Sequence, residues 1–395
     1  MPLSMSEKQS VSNTMCEEYR KASKKQKYVI LDQFIKLTGY NRNYASRKLR
    51  LGIIRTIKPR HNAILPKNTC KKGRPKLYGS DITQALHKVW SAMDYVCGKR
   101  LHAGMKDILD AMLSFGELAC SDDIKAKLIA VSPATIDRLL QPERMKHNLK
   151  GRSTTKPGTL LKSQIPIRLG NEWDDTRPGF IEIDLVAHCG ENARGEYINT
   201  LDTIDIATGW NETQAVINKA QKHVFEALKM IRTRIPFALL GIDSDNGSEF
   251  INSEILRWCM KENLTFTRSR PNKKNDSCHV EEKNWSIVRR NVGYKRFEGL
   301  AKLDLLNKLY ELLRLHTNFF MPSVKLESKI RDGGRVIKRY SSPITPYRRV
   351  LASEHVDAET KSRLAGLFVT LNPVELRRQI AMLQEALYRS NDNPR

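Results

Sequence analysis

Three carboxylates of the 395-residue chain stand where they could act together. Asp184 sits in the middle of the alternating, β-branched run FIEIDLVAH. Asp245 follows the apolar run PFALLGID, and Glu281 is the second residue of the segment VEEKNW, with 35 residues between the two acids. If the two runs are neighbouring parallel strands and VEEKNW begins a helix on the sheet edge, the three acids converge. Carboxylates gathered in this way repel one another unless divalent cations neutralise them, and hard oxygen donors favour magnesium or manganese. Two such ions can activate an attacking oxygen and stabilise a leaving oxygen in phosphoryl transfer, a reaction that needs no side-chain nucleophile.

Each acid has a rival nearby. Asp243 precedes Asp245 by two and would face the same way, but it still lies within the strand. Asn246-Gly247 after Asp245 suit a tight turn. On a helix advancing about 100° per residue, Glu281 falls on the side of Val280, Trp285, Ile287, Val288 and Val292, whereas Glu282 faces solvent. Asn284 falls on the inward side with Glu281. Asp202 and Asp205 on the following strand read as surface or turn acids, and Glu182 as a neighbour of Asp184. Any one of these acids alone is an ordinary solvated residue; the spacing of three gives them weight.

The elements that must position them read as follows. From Pro178 come the strands FIEIDLVAH, YINTLDTID and WNETQAVIN, a helix Ala220 to Arg234, and a fourth strand PFALLGID. A helix Ile251 to Glu262, a fifth strand LTFTR, a polar loop and a helix Cys278 to Val292 complete the segment. Three meandering strands followed by alternating helix and strand make an α/β mixed sheet flanked by helices. Before it, Lys27 to Leu37 and Asn41 to Leu51 flank the break Thr38-Gly39 with the punctuation of a helix-turn-helix. Its second helix would turn Arg42, Asn43, Ser46, Arg47 and Arg50 outward, suited to phosphates and base edges, and Tyr44, Ala45 and Leu49 inward. A basic connector follows, whose Gly73-Arg74-Pro75 has the composition of a minor-groove arm or of a solvated linker. Helices over 81–97, 100–118 and 121–140 form a second helix-turn-helix candidate or a packing bundle. After the sheet region a helix runs to about Phe320, a basic hairpin turns at Asp332-Gly333, and Pro373 to Tyr388 is an amphipathic helix. The expected divisions are therefore 1–65, 66–147, a basic linker 148–177, an α/β core 178–298 and a C-terminal region 299–395.

Charge divides along the same lines. The net of +25 is made of +20 over residues 1–170 (33 Lys and Arg against 13 Asp and Glu), −2 over 171–298 (18 against 20) and +7 over 299–395 (17 against 10). Basic flanks around an acid-rich middle suit a protein that holds a polyanion and acts on it between. Arg268, Arg270, Lys273 and Lys274, in the loop before the VEEKNW helix, would hold phosphates. The 7 cysteines are scattered, with no CxxC pair and no zinc spacing, so reduced thiols are expected. No run approaches the ~20 apolar residues of a membrane helix and none resembles a secretion signal. The expectation is a cytoplasmic, nucleoid-associated protein.

The segments EIDLV, SDNGSEF and VEEKNW resemble the catalytic core of the retroviral-integrase-like DDE transposases of bacterial insertion sequences, over about residues 178–298. The resemblance implies an RNase H-like fold in which Asp184, Asp245 and Glu281 bind two magnesium ions, with Lys283 and Asn284 near the DNA strand. It also implies cleavage at element ends and strand transfer of 3′-hydroxyls into target DNA. Double-stranded DNA, as terminal inverted repeats and target, would be the partner of a homo-oligomer that needs no nucleotide cofactor. The chain lacks the His/His/Cys/Cys zinc unit of retroviral integrases, so recognition of the ends would rest on the helix-turn-helix units. Two alternatives are a nuclease or resolvase of the same fold, which cuts without joining, and a DNA-binding regulator without catalysis.

Overall fold

The run FIEIDLVA forms a strand because its β-branched and aromatic residues alternate with residues of opposite polarity, the pattern of a pleated surface with two different faces. This is β1 (Phe180–Ala187), the centre of the sheet. The computed structural model describes residues 3–51, 77–144, 176–245, 247, 249–250, 252–268, 280, 283–332 and 335–389. They fall into two units, residues 1–75 and 76–395.

In the first unit, α1 (Met5–Lys21), α2 (Lys24–Thr38) and α3 (Arg42–Leu51) close on a small core of Met15, Cys16, Tyr19, Leu31, Phe34, Ala45 and Leu49. α2 ends at Gly39, whose φ of +68° is costly for residues bearing a Cβ and whose N–H donates to Ile35 O at 2.8 Å. The sequence reading omitted α1, although Ser4 and Glu7 form a capping box at its start. Tyr44, expected inside, is 52% exposed and meets Tyr40 edge-on instead.

In the second unit, β1, β2 (Asn199–Asp205), β3 (Asn211–Val216), β4 (Gly241–Ser244) and β5 (Thr265–Arg268) form one sheet in the order β3-β2-β1-β4-β5. β1, β2 and β3 pair antiparallel, while β4 runs parallel to β1 and β5 parallel to β4. This is the mixed sheet flanked by helices that the sequence predicts. β4 is shorter than the apolar run PFALLGID suggested. Gly179, at φ +118°, explains part of this: a Cβ there would lie 2.4 Å from Ala238 O, so the chain before β4 packs directly against the backbone entering β1.

One sheet face is apolar. Ile181, Ile183, Leu185, Leu201 and Ile242 pack there with α8 (Gln221–Arg234) and α9 (Ser253–Lys261). The other face carries Glu182, Asp184, Asp202, Thr213 and Asp243, all but Asp184 buried. α10 (Gly299–Phe320) covers the edge strand β3. Asn318 accepts from Asn211 N at 2.9 Å and donates to Asn211 O, and Asn307 accepts from Ala215 N at 2.8 Å. The outward backbone groups of β3 are thereby satisfied, which blunts an edge that could otherwise pair with another chain.

Helices α4 (Ser80–Ala92), α5 (Gly98–Ser114), α6 (Asp122–Ala130) and α7 (Pro133–Arg144) do not have a core to themselves. Leu86, Leu101 and Ile108 share one apolar cluster with Trp210, the end of α10, and residues of α11 (Pro346–Ala352), α12 (Ala358–Thr370) and α13 (Pro373–Arg389). Asp94 pairs with Arg290 at 3.1 Å and Arg377 at 2.9 Å across the same junction. The basic hairpin forms between β6 (Leu326–Asp332) and β7 (Arg335–Tyr340). No helix among the described residues is long and apolar enough to cross a membrane.

Candidate active site

The parallel register of β1 with β4 pairs Ile183 with Ser244. Asp184 and Asp245 are the next residues on the two strands, which puts them at neighbouring positions at the carboxyl end of β4. Both are half-buried. Asp184 Oδ1 accepts from Leu185 N at 2.8 Å and Oδ2 from Asn284 Nδ2 at 2.5 Å. Asp245 Oδ1 accepts from Gly247 N at 2.7 Å, an Asx turn that carries the chain away from the sheet. A Cβ on Gly247 would sit 2.8 Å from that same carboxylate oxygen and 2.7 Å from the Glu249 carboxyl carbon, so a larger residue there would make one or both side chains shift.

Glu281 and Glu282 lie outside the described residues, as do Arg74, Arg270, Lys273 and Lys274. The residues on either side of the two glutamates are both tied to β1. Val280 N donates to the buried Glu182 Oε2 at 3.1 Å, and Asn284 reaches Asp184. The expected α-helix over Cys278 to Val292 takes another form among the described residues. Asn284–Arg289 is a π-helix and Arg290–Val292 returns to α. A π-turn is wider than an α-turn and tends to occur at functional sites. Here it leaves Ile287 and Val288 buried and Trp285 outside, where the sequence reading grouped all three.

Asp243 is not interchangeable with Asp245. It lies within β4, is buried, and accepts from Thr267 Oγ1 at 2.6 Å. Asp202 and Asp205 correct the expectation of surface acids, because both are buried. Asp205 is indeed a turn acid: Gly179 N and Thr208 N donate to it at 2.7 Å, and Thr208 Oγ1 at 2.6 Å. Burial lifts its carboxyl to about 6 against those hydrogen bonds. Asp202 is the cross-strand partner of Asp184. Asn211 Nδ2 donates to its Oδ1 at 2.6 Å, while its buried Oδ2 has no hydrogen-bond partner among the described residues. Burial pushes the Asp202 carboxyl up to about 8, and the charge of Asp184 adds to the rise while Asn211 and Lys283 oppose it.

Lys283 is 9% exposed and its charge bears on Asp202. The family resemblance implies a position near the DNA strand for Lys283, and in the structure the residue is largely buried. Arg268, expected in an open phosphate-binding loop, is likewise buried as the last residue of β5. Arg42, Asn43, Arg47 and Arg50 are exposed on α3 and Ser46 is half-buried; Arg42 is paired with Asp32. His188, next along from β1, is pushed down to about 3 by burial with Arg289 adding to it, and shares Thr200 Oγ1 with Tyr310 at 2.7 Å each. It is a neutral structural group.

Among the described residues no three His, Cys, Asp or Glu side chains form a cation site. Asp184 and Asp245 are hard, half-exposed carboxylates on neighbouring strands, oxygen donors of the kind that magnesium or manganese takes.

No family model matches the chain. It is 37% identical over 347 residues to the uncharacterized protein y4rM of Sinorhizobium fredii, an alignment covering 88% of this chain and 96% of that one. The two belong to one family. Among solved structures, the catalytic core domain of BIV integrase (crystal form I) matches 45% of this chain and 96% of its own, at 18% identity and a TM-score of 0.30. The HTLV-2 integrase catalytic core domain in complex with magnesium (dimeric form) matches 38% and 93%, at 14% identity and a TM-score of 0.29.

The burial of Asp202 opposite Asp184 is the feature of this region that sequence reasoning missed. That position depends on the β1–β2 register, which is fixed across an 11-residue connection from His188 to Ile198. Alternation within YINTLDTID shows only that Thr200 and Asp202 share a face.

Proposed function

We propose that this chain is a DNA transposase: a metal-dependent polynucleotidyl transferase that cuts at the ends of a mobile element and joins the freed 3′-hydroxyls to target DNA. The observation that carries the proposal is the placement of Asp184 and Asp245 at neighbouring positions, with Val280 and Asn284 tying both flanks of Glu281 to the same strand. In open sheets of this kind, ligands bind beyond the carboxyl ends of the parallel strands, which is where Asp245 stands.

Asp184, Asp245 and Glu281 would hold two magnesium or manganese ions. Bound there, the ions would supply charge neutralisation and oxygen activation for in-line displacement at phosphorus. The chain's own residues set the stage. Asn284 fixes the Asp184 carboxylate, the Gly247 turn fixes Asp245, and the apolar sheet face with α8 and α9 keeps both strands rigid. Arg47 and Arg50 on α3, with Asn43, would bind duplex DNA at the terminal repeats, supported by the +25 net charge. Two ends must be brought together, so a homo-oligomer on DNA is the working form.

The test is a plasmid carrying the gene with its flanking DNA, incubated with purified protein and Mg²⁺. A transposase gives cleaved ends and joined products, both lost in Asp184→Asn and Asp245→Asn while DNA binding persists. Fragments without joined products would identify a nuclease or resolvase. Binding with no strand breakage would leave a regulator.

A further inference from the structure

Three non-glycine residues among the described ones have a positive φ, and two of them are neighbours: Asp94 at +50° and Tyr95 at +58°. Aspartate tolerates the left-handed region, but a tyrosine rarely enters it, and such a conformation persists only where the surroundings impose it. Here the helical region imposes it. Asp94 N donates to Ser91 O at 3.1 Å and Tyr95 N to Trp90 O at 2.9 Å. Val96 O accepts from Trp90 Nε1 at 2.8 Å and from Arg144 at 2.9 Å, while Asp137 Oδ1 joins Arg144 to Gly98 N. The turn between α4 and α5 is thus braced from both α4 and α7.

The braced turn presents the Asp94 carboxylate, whose side chain is only 15% exposed. Its two oxygens serve different elements. Oδ1 lies 2.9 Å from Arg377 of α13 and Oδ2 lies 3.1 Å from Arg290, whose guanidinium also donates to the Asp94 carbonyl. Arg290 directly follows the π-helix whose first residue, Asn284, holds Asp184. The end of that helix has further ties. Arg289 donates to Ala187 O at 2.8 Å, and from α13 Gln384 donates to Asn291 O at 2.8 Å and Tyr388 to Val292 O at 2.7 Å. The Asp94 tie reaches it from the region 80–144 and is an ion pair. A largely buried ion pair recovers little net stability after desolvation, but it is satisfied by one geometry.

We propose that Asp94 is a positioning residue: the strained turn between α4 and α5 holds Arg290 and so sets where the helix bearing Asn284 lies against Asp184. On this account the region 80–144 registers the helix of the carboxylate site. The effect on reaction rate rests on the phosphoryl-transfer reading above; the coupling of turn to helix does not.

The experiment uses full-length wild type, Asp94→Asn, Arg290→Gln, the double variant, and Arg377→Gln, which leaves the Asp94–Arg290 pair in place. Hydrogen–deuterium exchange by mass spectrometry, without metal or DNA, reads the amides of 284–292 with those of α5 and α6 as internal controls. Asp94→Asn and Arg290→Gln should each speed exchange across 284–292 about tenfold, the double variant no more than either, and Arg377→Gln about twofold or less. The controls should match wild type throughout. Single-turnover plasmid cleavage with Mg²⁺ should fall about tenfold in each of the two single variants and about tenfold, not a hundredfold, in the double, with duplex affinity in a gel shift unchanged. Unchanged exchange across 284–292, additive effects in the double variant, or faster exchange that spreads equally through α5 and α6 would overturn the proposal, the last being what loss of packing alone gives. Asparagine suits the left-handed region as aspartate does, so Asp94→Asn removes the charge without disturbing the turn. Should that variant fail to fold, Arg290→Gln reads the same pair from the other side. If wild type cleaves no DNA, the phosphoryl-transfer reading falls, while the exchange measurement still decides the role of Asp94.

Discussion

Replacing Asp202 by asparagine keeps the side chain's shape and its acceptor for Asn211, but removes its proton chemistry. The sign of the effect follows from the raised value. Burial lifts the carboxyl from 3.8 to about 8, so over that interval the folded chain keeps a proton that the unfolded chain has released. The stability associated with the protonated form is full below about pH 4 and is lost as pH rises toward 8. At about 1.36 kcal/mol per pH unit, the wild type should lose roughly 4 kcal/mol from this one group by pH 7. Asparagine has no such slope. Its amide NH₂ would replace an oxygen that has no hydrogen-bond partner among the described residues, which costs about 1–3 kcal/mol at every pH. The variant should thus be the less stable protein near pH 4 and equal or better at pH 7. Urea unfolding of both proteins at intervals between about pH 4 and pH 8 measures the difference directly. A difference that stays flat across that range would show that Asp202 is ionised in the fold, and would remove the reasoning about a neutral carboxyl behind Asp184.

Other perturbations follow from single contacts. Asn284→Ala removes the hydrogen bond to Asp184 Oδ2; a bond to a charged acceptor contributes about 1.5–3 kcal/mol, so cleavage should fall roughly 10- to 100-fold with DNA affinity unchanged in a gel-shift titration. Gly247→Ala should lower the cleavage rate at least tenfold without altering the unfolding midpoint much, because the new methyl crowds the Asp245 carboxylate, only 2.8 Å away. Arg47→Ala and Arg50→Ala should each weaken duplex binding on all sequences and reduce the slope of log affinity against log salt by about one per lost phosphate contact. An unchanged slope would take α3 off the DNA backbone.

The legible parts of the fold were those written in local periodicity. The alternation of FIEIDLVAH marked β1, the apolar run before Asp245 marked a strand ending just short of that residue, and Thr38-Gly39 marked the turn between α2 and α3. What the sequence could not convey depended on distant partners. The cross-strand position of Asp202 is a matter of register, and the burial of Lys283 is a matter of which elements pack around it. α4 to α7 read as a second helix-turn-helix unit or a packing bundle because each helix has its own apolar face. Only the folded chain shows those faces closing on Trp210, Phe319 and Leu376. α11 and α12 were missed although Thr345 and Asp357 cap them with accepted hydrogen bonds from Arg348 N and Thr360 N, local signals available to a closer reading. Helix angles counted at a uniform α pitch misplace Trp285, because Asn284–Arg289 is wound as a π-helix.

The most direct test concerns the two aspartates themselves. Titrating Mn²⁺ into wild type, Asp184→Asn and Asp245→Asn and following free Mn²⁺ by electron paramagnetic resonance asks whether neighbouring strands share a cation. Wild type should bind the ion, and each single substitution should weaken binding about tenfold or more. Equal binding in all three proteins would mean that Asp184 and Asp245 do not form a metal site.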